Sequence, residues 1–160
     1  MKTRDPQIGD VLSVGAYALG RVVSTSAVVG PTHGCMLVYV YRDRERPSRD
    51  DLLVPPLLTT RAPWSRGLFA FVRSQPLLPK QYFERHCFRD AQGRLVDEEG
   101  RPMDAPPPGV PIGDYALQSV DAVEAALATA LSSSSSRRRT SRSSRPPRGT
   151  RTRTRKSRSP

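Results

Sequence analysis

Cysteine and histidine are scarce in this chain, two of each, and tryptophan occurs once. Two thiols are too few for a disulfide scaffold, although a single bridge stays open. His33, Cys35, His86 and Cys87 would suffice in number for a tetrahedral zinc site. Their spacing argues against it, because neighbours such as His86 and Cys87 on a strand point to opposite faces. Packing as small apolar groups is the plainer use of both thiols. The same geometry weakens Cys87 as a nucleophile with His86 as its base, and nothing in the sequence brings His33 to it. No phosphate loop, dinucleotide fingerprint or paired-histidine zinc motif is present. No catalytic residue, cofactor or metal is therefore expected.

Long apolar runs are also missing. No stretch approaches the ~20 residues of a membrane span. Lys2, Arg4, Asp5 and Asp10 interrupt the start, where a signal peptide would need an apolar core. A cytoplasmic protein with no membrane partner is the expectation, and the oligomeric state is left open.

Acidic residues are absent from one segment. Ser132–Pro160 holds 11 of the 26 Lys and Arg and none of the 15 Asp and Glu, so residues 1–131 are neutral and the net charge of +11 belongs to the tail. The tail also lacks aliphatic and aromatic residues. Ordering it would cost ~1–2 kcal/mol per residue with no apolar burial to offset that. The expectation is one domain over 1–131 and a disordered Ser/Arg-rich tail over 132–160. Arg137, Arg138, Arg139, Arg151, Arg153, Arg155 and Lys156 are the candidate contacts to nucleic acid, by salt-sensitive and sequence-independent phosphate neutralisation. Such attraction carries little specificity.

The body reads as α+β: a twisted, mostly antiparallel sheet or partial barrel with a C-terminal helix, followed by the tail. Val11–Val14 and Ala16–Thr25 suit a hairpin around Gly15. After Gly30-Pro31, the run Cys35–Tyr41 is apolar throughout, as in a strand covered on both faces. Ser48 with Asp51 suits the cap of one helical turn that aims Leu52 and Leu53 inward. Arg66–Arg73 is a second apolar strand candidate, with Phe69 and Phe71 expected in the core. Turn signals at Gln92-Gly93 and Glu99-Gly100 predict a meander of short strands. Ser119 is a good N-cap for a helix bearing Val120, Val123, Leu127 and Leu131 on one stripe, and the serines from Ser132 are expected to end it.

Two charged clusters stand out in the body. Arg42, Arg44, Arg46 and Arg49 alternate with Asp43, Glu45 and Asp50, which reads as a solvated loop. Asp97-Glu98-Glu99 is the one acidic concentration, in ordinary terms a surface turn.

A resemblance adds to this reading. Gly9, Asp10 and Val11, followed by Tyr17, Gly20 and Arg21, resemble the opening of the immunity protein 26 family of bacterial polymorphic-toxin systems. "MLVYVYRDR", "DLLVPPLL", "GLFAFVRSQPL" and the closing "GDYALQSVDAVEAAL" are similar to its later elements, over roughly residues 8–131. The lone Trp64 precedes the "GLFAFVR" strand, whereas the family pattern has a tryptophan after it. The tail has no counterpart. The resemblance implies a non-enzymatic cytoplasmic protein that binds and neutralises a cognate toxin domain. With that function, Arg42, Arg44, Arg46, Asp97, Glu98 and Glu99 become the candidate partner-binding residues.

Overall fold

The computed structural model describes residues 4–16 and 18–140, for the last six of these the backbone alone. Eight strands and two helices follow one another: β1 (Asp10–Val14), β2 (Ala18–Val29), β3 (Thr32–Tyr41), β4 (Leu57–Thr59), α1 (Ala62–Ser65), β5 (Phe69–Ser74), β6 (Cys87–Arg89), β7 (Leu95–Val96), β8 (Ile112–Asp114) and α2 (Val120–Thr140). One turn of 3-10 helix, Pro79–Gln81, lies between β5 and β6.

The strands form two sheets, a five-stranded one in the order β4-β3-β2-β1-β5 and a three-stranded one in the order β7-β6-β8. All pairings are antiparallel except β6 with β8. The large sheet is open, with β4 and β5 at its edges, so the α+β expectation is met as a sheet and not as a barrel. β1 and β2 form the hairpin around Gly15, and β2 and β3 a second one around Gly30-Pro31.

Alternation along β3 builds two cores. Met36, Val38 and Val40 face one side, where Leu12, Val14, Trp64 and Phe69 meet Val123 and Leu127 of α2. Cys35, Leu37, Tyr39 and Tyr41 face the other, against Phe83, Phe88 and Val96 of the small-sheet region. Every residue from Cys35 to Tyr41 is buried, as a strand covered on both faces requires. The result is three layers: helix, large sheet, small sheet.

Ser119 caps α2 as expected, its Oγ accepting the Ala122 N–H at 3.1 Å, and Val120, Val123 and Leu127 are buried. The serines do not end the helix. It continues to Thr140, across the expected boundary at 131/132. Ser132, Ser133 and Ser134 each donate a hydroxyl to the carbonyl four residues back, which occupies the groups that would otherwise compete with the helix. Arg137, Arg138 and Arg139 therefore fall in α2. Arg151, Arg153, Arg155 and Lys156 lie outside the described residues, as does Tyr17.

Two further expectations need correcting. Ser48–Asp51 forms a hydrogen-bonded turn and no helical turn, with the Asp50 N–H on Ser48 Oγ at 3.2 Å. Phe71 is not in the core. Phe69 stacks edge-on against Trp64, their centroids 5.0 Å apart, while Phe71 sits 47% exposed beneath the Arg4 guanidinium. Periodicity identified a strand but not that it would be an edge.

Candidate functional site

The β5 edge carries two of the five large apolar side chains that are exposed among the described residues. Phe71 and Val72 are 47% and 49% exposed, and Ile8 and Leu78 beyond the C-terminal end of the strand are also exposed. The opposite edge, β4, is protected: Leu57–Thr59 is buried, and the Gln118 N–H reaches the Leu58 carbonyl at 2.8 Å. Native sheets usually blunt or cover their edges, so an edge left open with apolar side chains marks an interaction surface.

The expected contact residues are dispersed. Arg42 bonds Asp51 at 3.0 Å and reaches Ser134 on α2, which ties the 42–50 loop to the helix. Arg44 lines a small cavity above the sheet with Arg21, Arg73 and Glu45. Arg46 is exposed, and its N–H bonds Asp43 Oδ1 at 3.1 Å. Asp97 and Glu99 are engaged inside their own turn, bonding the two ends of the Arg101 guanidinium at 2.9 and 3.0 Å. Glu98 points inward. The acidic cluster is thus largely neutralised from within.

That turn is one of two with the same pattern, Asp-x-x-Gly-Arg, at 90–94 and 97–101. In each, the Asp Oδ1 accepts the N–H two and four residues on, and its Oδ2 takes the Arg Nε. The repeat stood in the sequence as a legible signal for paired Asp-capped turns.

Glu98 leads to an arrangement that the sequence did not suggest. Its Oε1 lies 3.5 Å from His86 Nδ1, within ion-pair reach but without a well-aligned hydrogen bond. His86 Nε2 is 2.5 Å from the Tyr39 hydroxyl, whose oxygen also accepts the Phe83 N–H at 3.2 Å. The Tyr39 hydroxyl thus links the Phe83 backbone to Nε2, while Nδ1 faces Glu98. Burial pushes the Tyr39 phenol far above its usual range, so it stays protonated. Burial also works against ionisation of Glu98, but His86 and a backbone N–H outweigh it and lower its pKa.

The cluster borders an open cleft of about 370 Å³ lined by Glu84, Arg85, His86, Asp97, Glu98, Arg101, Pro102 and Met103. Tyr39 itself is fully buried and does not line that cleft. Its hydroxyl pins the Phe83–His86 segment to the sheet. Arg49 stacks over Phe83 at 5.1 Å, and Phe83 and His86 both pack against Tyr39, so the basic loop and the acidic turn flank one aromatic cluster.

Cys35 and Cys87 are both buried and unbridged. Among the described residues no group of three His, Cys, Asp or Glu side chains gathers to hold a metal, and no helix is long and apolar enough to cross a membrane. The chain matches no protein-family model, no curated protein and no solved structure.

Proposed function

We propose that this chain is a non-enzymatic immunity protein that acts in the cytoplasm of a toxin-producing bacterium by binding and neutralising a cognate toxin domain. The observation that carries the reading is the open β5 edge with Phe71 and Val72 exposed on it. Backbone pairing at such an edge supplies affinity, and alternate side chains supply specificity. Arg44 and Arg73 beside it offer the charged rim that protein interfaces use. A tight complex buries ~1,200–2,000 Å² in all, more than the edge alone, so neighbouring loops join the contact. The runner-up is a nucleic-acid-binding protein working through its Arg-rich tail.

Co-expression with the toxin encoded by the neighbouring gene separates the two. The full chain and a chain ending at Thr140 are expected to protect cells equally. Phe71→Asp combined with Val72→Asp is expected to abolish protection while the protein still melts cooperatively. Protection by the full chain but not by the soluble truncated chain would move the function to the tail. Failure of the soluble full chain would remove the support for neutralisation of that toxin.

A further inference from the structure

A cationic cavity lies over the face of the large sheet that carries Arg21. Val11 of β1 is paired with Arg21 of β2 on one side and with Arg73 of β5 on the other. Directly opposite residues share a face, so the two arginines rise from the same side of the sheet with one strand between them. The 42–50 loop folds over them. The partly open space, about 130 Å³, is lined by Arg21, Arg44, Glu45, Arg73, Gln75 and Gln81 among others.

Arg21 forms its floor and is only 1% exposed. Its Nη1 donates to Gln81 Oε1 at 3.2 Å, and its Nη2 donates to the carbonyls of Gly9 and Gln75. All three acceptors are neutral. Its Nε is buried with no partner among the described residues. Asp10, an acid near enough to act on Arg21, is taken by Arg4 at 3.2 Å, by Ser74 and by the Gln7 N–H. A guanidinium does not escape burial by giving up its proton at neutral pH, so a buried arginine calls for an anion. Arg44 and Arg73 at the rim are in no ion pair among the described residues, and Glu45 is the only carboxylate in the lining.

A purely structural role accounts for part of this. Through its two Nη atoms Arg21 fastens the start of β1, the end of β5 and the 3-10 turn together. That role does not explain the two rim arginines, Arg44 and Arg73, gathered over a buried charge with no acid of its own. Nε is shut off from solvent, so the rim arginines supply the donors and Arg21 adds its charge. We propose that the cavity is a binding site for a single oxyanionic group, a carboxylate or a phosphate. Guanidinium forks match the paired oxygens of such groups, and their bonds to an anion are the strong, charge-assisted kind. A water takes up about 30 Å³ in the liquid, so the space equals a few waters. One oxyanionic group fits it.

The test uses the full chain and the Nε–Hε signals of its arginines by nitrogen-15 NMR, with inorganic phosphate and acetate titrated separately at constant ionic strength. The Arg44 and Arg73 signals are expected to shift saturably, and the buried Arg21 signal with them through the nearby charge, while the tail arginines respond weakly and without saturation. In the Arg44→Gln/Arg73→Gln variant the binding is expected to weaken by roughly fivefold or more, as loss of two charge-assisted donors implies. Both substituted residues are exposed, so the fold survives. Tighter saturation by phosphate would assign the site to phosphate groups, and tighter saturation by acetate to carboxylates. Arg44 and Arg73 signals that stay still while tail signals move would overturn the proposal. So would an equal Arg21 response in the double variant.

Discussion

Gly93 and Gly100 hold equivalent places in the two Asp-x-x-Gly-Arg turns, with φ of +80° and +82°. Their surroundings differ. A Cβ at Gly93 would meet open space, whereas one at Gly100 would overlap the Tyr115 hydroxyl. That hydroxyl is fixed, donating to the Val28 carbonyl at 2.7 Å and accepting the Gly30 N–H at 3.1 Å. Gly93→Ala is expected to cost about 1–2 kcal/mol through the left-handed backbone alone. Gly100→Ala should lower the melting temperature clearly further, because it also displaces Tyr115 from the β2–β3 hairpin. Equal losses in the two variants would contradict that account. The acids of this region set the response to pH. Burial opposes ionisation of Asp90, Asp97 and Glu98, but backbone N–H groups and arginines at the first two, and His86 at the third, win and depress all three pKa values. A depressed carboxylate stabilises the fold above its unfolded pKa, and that contribution is lost as pH falls through the folded value. Melting temperature is thus expected to hold from neutrality to about pH 5 and to decline below about pH 4. Asp97→Asn should melt lower than the parent at pH 7 and show a shallower acid decline. The two turns were legible as Gly-containing turn signals. The link from Glu98 through His86 to Tyr39 was not, because it joins residues from three distant segments.

At the scale of elements, the helix start was legible and its end was not. Ser119 and the spacing of Val120, Val123 and Leu127 are local signals, and local chemistry governs an N-cap. Serine has two local options, to end a helix or to bond back along it, and here the second is taken, with Ser134 also meeting Arg42 across the fold. The strand β5 carries the converse lesson. Its apolar run correctly indicated a strand, but whether a strand lies inside a sheet or at its edge depends on which partners reach it. β3 is flanked by β2 and β4, while β5 has only β1. Because Phe71 and Val72 contribute little to either core, replacing both with Asp should shift the melting temperature by no more than about 2 °C while, on the proposed function, removing toxin protection. A large loss of stability would show that the edge is structural, and the protection result would then say nothing about binding.

At the scale of the whole molecule, the neutral three-layer body and the basic end are separable in charge but joined by α2, which runs from the core through the first tail residues. A chain ending at Thr140 keeps Val123, Leu127 and the Arg42–Ser134 contact, and it should melt with the full chain. It should also lose most of the full chain's salt-sensitive retention on immobilised DNA, since eight of the eleven tail cations lie beyond Thr140. Undiminished retention would place a second cationic surface on the body. Composition and periodicity by themselves determined the α+β class, the hairpins, the fully buried strand β3 and the segregation of charge into the tail. These follow from local backbone preferences and from which residues avoid water. Tertiary structure alone decided that Arg21 would be buried beside Arg73, that Glu98 would turn toward His86, and that β5 would stay open. Each of these depends on strand order and register, and those are set by contacts between segments far apart in the chain, which no local pattern encodes.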